Sequence, residues 1–270
     1  STLSSSSAAS DVYKRQAVGL GAWDSRQVAP RGEVLEILGW PDEAGVDIRG
    51  IILRHGLREE FPGEVIREAE HVPSTVRDGA LQGRVDWRQE VVITIDPADA
   101  RDFDDAIWVR KAGDGWELAV HIADVAHYVR PDTAMDREAR ERGNSTYLVD
   151  RVLPMLPEQL SNGICSLVPG EDRLTRCAVM RVDRSGKMVL SRLERAVIRS
   201  HRRLTYEEAQ GVLDAGGKEP EAVLSETEAL LRECWKLAGI LRKRRFSEGA
   251  LDLDFPEIRM ELDDLGRAVG

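Results

Sequence analysis

The chain has 270 residues, 42% of them hydrophobic and 32% charged, which is room for one large domain, or one domain and part of a neighbour, around a real core. No run of about 18 apolar residues occurs, which excludes a membrane-spanning helix; no membrane partner is expected. Three cysteines, Cys165, Cys177 and Cys234, without a C-x-x-C exclude a disulfide framework and point to a reducing cytoplasm, while a net charge of −10 counts against a broad basic surface but not against a local basic groove.

Residues 1–16 (STLSSSSAASDVYKRQ) carry no apolar periodicity and none of the marks of a secretion signal; they are expected to form a disordered leader, non-native in character. Gly32–Gly39 (GEVLEILG) alternates and predicts a half-buried strand, Trp40–Gly45 a turn, and Val46–Arg54 (VDIRGIILR) a second strand. Phe61-Pro62 opens a short amphipathic helix over Gly63–Glu70. Two strands cannot close a barrel, so its beginning is expected to be missing or to lie elsewhere. His71–Gln89, polar and irregular with Pro73, Gly79 and Gly83, reads as a linker.

Val91–Ile95 (VVITI) predicts a buried strand. Ala106–Arg110 and Trp116–Ile122 form a hairpin around Gly113-Asp114-Gly115, and Thr175–Asp183 with Lys187–Val197 a second around Ser185-Gly186. Between them come a helix over Pro131–Arg142, a strand over Ser145–Val149, and a short helix and loop over Pro157–Leu167. Thr205–Leu213 and Ser225–Arg245 read as amphipathic helices, with Trp235 expected in the core beside Leu230, Leu231, Leu237 and Leu241. Leu251–Val269 alternates again around Gly266, and the chain is expected to stop inside a continuing fold. No internal repeat is present, and the mix is α+β.

The segment that carries chemistry is Thr94–Ala106, TIDPADARDFDDA, with Asp96, Asp99, Asp102, Asp104 and Asp105. Carboxylates this close repel one another unless something positive neutralises them. Oxygen-only clusters suit hard cations, Mg²⁺ or Mn²⁺, which activate water and neutralise charge on a phosphate. A solvated acidic turn is the alternative, and composition leaves both open. A calcium EF-hand fails, because Ile107 stands where its loop needs Gly, and no Walker-type phosphate loop occurs.

Further blocks follow in order: His121–Val129 (HIADVAHYV), Ala139–Leu148 (ARERGNSTYL), Leu153–Glu158 (LPMLPE) and Leu160–Leu167 (LSNGICSL). Together with DARDFDD they resemble the ribonuclease II / ribonuclease R family, whose core is the RNB domain; the acidic wording is closer to ribonuclease R. Pro30–Glu70 resembles the end of the cold-shock-type, OB-fold β-barrel that precedes that domain and binds single-stranded nucleic acid. The resemblance implies an α+β chain: a leader (1–16), the end of an RNA-binding barrel with its linker (17–75), and the first part of an RNB exoribonuclease domain of mixed sheets and flanking helices (76–270).

The resemblance also implies an activity. It is 3′→5′ hydrolysis of single-stranded RNA with a free 3′ end, releasing nucleoside 5′-monophosphates with Mg²⁺ or Mn²⁺, by a cytoplasmic monomer. Asp96, Asp102 and Asp105 would be metal-associated, Asp104 the carboxylate of the chemical step, and Tyr147 a platform for the terminal base. Asp99 is outside the family's four. Leu253 stands where the family often has a second stacking aromatic, with Phe255 two residues on. The alternatives are a catalytically inert RNA-binding fragment of such an enzyme and an unrelated metal-dependent phosphodiesterase.

Other residues read more plainly. His121 and His127 are expected to be satisfied structural histidines rather than zinc ligands. Arg242–Arg245 would meet RNA phosphates or complement a helix dipole. Arg101 would screen its acidic neighbours. Ser161-Asn162-Gly163 would end a helix or line an RNA channel.

Overall fold

The alternating residues Gly32–Gly39 do form a strand, β2, paired antiparallel with β1 (Arg15–Leu20) so that Val18 faces Val34 and Gln16 faces Ile37. The computed structural model describes residues 13–22, 27, 29, 31–215, 225–253 and 263. The described residues divide into two units: those up to Phe61 with Glu141–Met155, and Pro62–Arg140 with 156–215 and 225–253.

In the first unit β1 takes in Arg15 and Gln16, which were expected in the leader; residues 1–12 of that leader lie outside the described residues. β2 is not half-buried. Leu20 is 72% and Leu35 70% exposed, because among the described residues the ribbon is covered only in part, by the helix over Val46–Arg54. Val46–Arg54 is a helix, α1, and not the expected strand. Gly45, at φ 83°, turns the chain into it, Asp47 and Arg54 complement its two ends, and Val46 and Ile52 are its buried residues. The apolar run Ile51-Ile52-Leu53 breaks the alternation a half-buried strand would need. Arg49 of α1 pairs with Glu36 and Glu59. Arg142 donates to the carbonyls of Arg58, Glu60 and Pro154 and lies 3.9 Å over the Phe61 ring. The expected strand Ser145–Val149 shortens to β7 (Thr146–Tyr147), paired with β8 (Val152–Leu153).

The second unit opens with helix α2 (Gly63–Glu70), as its amphipathic pattern predicts. It is built on a seven-stranded sheet. The strands are β3 (Val85–Asp86), β4 (Ile93–Asp96), β5 (Asp105–Ala112), β6 (Gly115–Ala123), β9 (Asp172–Val182), β10 (Met188–Arg199) and β11 (Arg202–Thr205). Their order is β11-β4-β5-β6-β9-β10-β3, with β11/β4 and β10/β3 parallel and the rest antiparallel. Both expected hairpins are present. Gly115 is needed at the first, since a Cβ there would stand 2.1 Å from the Val182 carbonyl.

His71–Gln89 is more than a linker. Val85–Asp86 joins the sheet edge, and Trp87 is buried against Trp108 and His121 while donating to Glu194 at 2.7 Å. Helices α3 (Val125–Tyr128) and α4 (Ala134–Arg142) follow β6. Glu68 of α2 accepts from the Ala134 and Met135 amides and caps α4. Gln159–Ile164 is a π-type turn. Helices α5 (Tyr206–Asp214) and α6 (Glu226–Ser247) each start with a capping box, Thr205/Glu208 and Ser225/Glu228, as an S/T-x-x-E pattern dictates. α6 buries Leu230, Leu231 and Leu237, but Trp235 is 61% exposed rather than in the core: it stands at the edge of the apolar stripe, lining an open groove with Leu231, Leu213 and Tyr206. Of the alternating segment Leu251–Val269, Leu251–Leu253 is described and is not strand, and nearly all the rest lies outside the described residues.

Candidate active site

The β-branched run Val92-Ile93-Thr94 is buried, and β4 delivers Asp96 at its carboxyl end. β5 starts at Asp105, opposite Ile122 of β6. The eight residues between, 97–104, form the acidic loop. Packing of distant segments holds it. The Ser166 hydroxyl, buried, accepts from the Phe103 amide at 3.0 Å and donates to the Arg101 carbonyl at 2.8 Å. Leu167 donates to the Phe103 carbonyl and Ala123 to the Asp104 carbonyl, each at 2.9 Å. Arg173 fixes the Ser166 carbonyl at 2.7 Å. From β11, Arg203 Nη2 donates to the carbonyls of Pro97 (2.5 Å) and Ala98 (3.1 Å), and its guanidinium lies 5.4 Å from the Phe103 ring centre.

The held loop brings the four expected aspartates into one electrostatic field. Asp104 and Asp105 are exposed, Asp96 and Asp102 half-buried. Partial desolvation, then the charges of Asp102, Asp105 and Asp96, raise the pKa of Asp104. Burial, then Asp105 and Asp102, raises that of Asp96 against the pull of Thr94 and Arg203. Asp99 is exposed and contributes to neither shift.

The donor set fits a hard divalent cation in chemistry and charge. All its ligand atoms are carboxylate oxygens, and Asp96 Oδ2 is buried without a hydrogen-bond donor. Among the described residues, though, no three His, Cys, Asp or Glu side chains stand close enough together to hold a metal ion.

Tyr147 lies on β7 in the first unit, 67% exposed, with Val152 opposite; the aspartates belong to the second unit. His121 is fully buried, with Nδ1 3.1 Å from the Thr175 hydroxyl and its ring edge-on to Trp87; burial lowers its pKa to about 4. It is structural. His127 packs edge-on against Tyr128. Arg242 and Arg244 pair with Asp252 and Glu248, so acidic side chains answer part of the basic run. Ser161-Asn162-Gly163 sits inside the π-type turn, where the Gly163 carbonyl accepts from Arg173.

Sequence reading missed Ser166, Arg203 and the group around Asp124. Asp124 is 2% exposed and accepts from Arg84 (2.5 Å) and Arg176 (2.9 Å). Burial opposes its charge, but the two arginines outweigh it and hold its pKa below the usual carboxylate range. A signal existed in each case. Ser166 and Asp124 lie in quoted blocks, and a buried Asp requires an arginine partner. Arg203, 106 residues from Pro97, carries no local signal.

Fold and site define a two-unit α+β protein, a small β-ribbon unit and a mixed-sheet unit built around an anchored loop of four carboxylates. An RNB domain model matches residues 84–270 and a cold shock domain model residues 17–62, and the chain belongs to the RNB family. It is 45% identical to ribonuclease R of Thermotoga maritima over 244 residues, 89% of this chain and 34% of that protein. The chain thus spans about a third of the length of that curated relative. Mycoplasma genitalium RNase R in complex with double-stranded RNA superposes with a TM-score of 0.83 at 28% identity, covering 95% of this chain and 45% of that one. The same protein with ribose-methylated single-stranded RNA gives 0.80 at 30% identity, covering 89% and 37%.

Proposed function

We propose that the chain is the part of a ribonuclease R-type enzyme that carries out 3′→5′ hydrolysis of single-stranded RNA, releasing nucleoside 5′-monophosphates. The observation that carries this reading is the anchored loop with Asp96, Asp102, Asp104 and Asp105 in a shared field, inside a chain of the RNB family. The RNA-bound relatives support RNA as the substrate.

Asp96, Asp102 and Asp105 would hold Mg²⁺ or Mn²⁺, which when bound neutralises charge on the scissile phosphate and acidifies water. Asp104 orients the attacking water; partial desolvation, and then its three carboxylate neighbours, raise its proton affinity, which suits a group that takes up a proton. Its exposure leaves it open to a polymer end. Tyr147 stacks on a terminal base, and every base offers a π-face. With Leu253 in place of a second aromatic, grip on the 3′ end rests more heavily on Tyr147. A cytoplasmic monomer is part of the proposal.

The test is a denaturing gel of 5′-labelled single-stranded RNA, with Mg²⁺ and with EDTA. Shortening from the 3′ end that needs metal and is lost in Asp104→Asn supports the proposal; full activity in that variant refutes the site. That no three carboxylates among the described residues stand close enough to hold a metal favours a second reading, an inert RNA-binding fragment. Tight RNA binding in Mg²⁺ without any product would select it.

A further inference from the structure

We propose that Arg203 is a positioning residue of the acidic loop, gripping the backbone where the loop leaves β4 and the aromatic ring where it returns toward β5. One guanidinium reaches three points of one loop: the Pro97 and Ala98 carbonyls and the face of Phe103. Phe103 is itself fixed at both main-chain groups, its amide by Ser166 and its carbonyl by Leu167. Asp102 and Asp104 flank that ring in sequence, and Asp96 immediately precedes Pro97, so the grip sets how far apart the carboxylates stand.

The strand pairing makes the placement rigid. β11 runs parallel to β4, Arg203 opposite Thr94 and Thr205 opposite Asp96, and Leu204 between them is buried. Both hydrogen bonds of Arg203 go to main-chain carbonyls rather than to a carboxylate, so beside its through-space pull on Asp96 it holds backbone directly. Its Nε is buried without an acceptor. A buried donor left unsatisfied costs stability, and a side chain that tolerates this beside the site is placed for geometry. A lysine in its place would keep the charge but could not span two carbonyls and lie flat on a ring.

The catalytic consequence rests on the exoribonuclease reading; the positional role does not. The test compares the chain with Arg203→Lys and Arg203→Met by three measurements. These are hydrogen exchange of peptides covering 97–105, Mn²⁺ titration followed by electron paramagnetic resonance, and RNA affinity in EDTA. Both variants should keep the protection of β5, β6 and β9, exchange the loop amides about tenfold faster and bind Mn²⁺ about tenfold more weakly, with metal-free RNA affinity unchanged. Unchanged loop exchange would overturn the proposal. So would full rescue by lysine, which makes the role one of charge alone. Loss of protection throughout the sheet would make Arg203 a general structural residue, and an equal fall in metal-free RNA affinity would make it a phosphate ligand; either overturns the proposal. If the unsubstituted chain and Asp96→Asn bind Mn²⁺ alike and neither cuts RNA, the exoribonuclease reading falls, while faster loop exchange in Arg203→Lys still upholds the grip.

Discussion

Asp124 and Asp104 belong to the same unit and are the same residue, yet their surroundings treat them oppositely. Asp124 is sealed from water and answered by Arg84 and Arg176, which hold it ionised. Asp104 is exposed, surrounded by three further carboxylates, and its pKa rises. A carboxylate that serves the fold brings its own cations. Asp104, which serves a ligand on the proposed function, is left wanting one, and the loop around it is fixed through its backbone instead.

The sharpest way to break this contrast is to neutralise each group. Asp104→Asn should lower the rate of metal-dependent RNA cleavage about 10²–10⁴-fold, measured in single turnover, with no loss of stability because it removes repulsion. Asp124→Asn should do the reverse. Buried Arg84 loses the charge that offsets its burial, while Arg176 stays open to water, and unfolding in urea should show a loss of about 3–5 kcal/mol. Equal destabilisation by both substitutions would erase the distinction.

His121 sharpens the comparison on the structural side. Its pKa falls from an ordinary 6.5 to about 4, so between those values the unfolded chain binds a proton that the folded chain refuses. Stability therefore falls as pH drops through this window, by at most about 3 kcal/mol from this residue. Urea melts at pH 7 and pH 5 should show the loss, and His121→Gln should flatten its slope. On the ligand side, Tyr147→Ala should weaken binding of short single-stranded RNA by about 1–3 kcal/mol, read by fluorescence anisotropy, and leave the melting temperature unchanged. The smallest effect is expected at Ser166→Ala, a stability loss of about 1–2 kcal/mol together with faster amide exchange at Phe103.

The residues that bear charge in this site were legible, and those that hold it were mostly not. Asp96, Asp102, Asp104 and Asp105 lie within ten residues and announce themselves by composition and by family wording. Hairpins and capped helices were legible for the same reason, since their signals are local. Val46–Arg54 is a helix although its β-branched residues suit a strand, since it lacks the alternation of a half-buried strand and follows a left-handed turn at Gly45. Trp235 misled because helical spacing marks a stripe without saying which side of it faces the sheet. Arg84 with Asp124, 40 residues apart, and Arg203 with Pro97 meet only through tertiary packing, which no short window contains.

The parallel pairing of β11 with β4 also sets a timetable. Strand β4 ends at Asp96 and its partner ends at Thr205, so roughly a hundred residues of chain must be made and returned before the two can meet. During synthesis the four aspartates leave the ribosome early, and Ser166 follows well after them. Arg203 comes last of all. A nascent chain that stops short of β11 therefore carries every carboxylate of the site and lacks the strand that gives their loop its shape, so assembly of the site waits on the far end of the sheet.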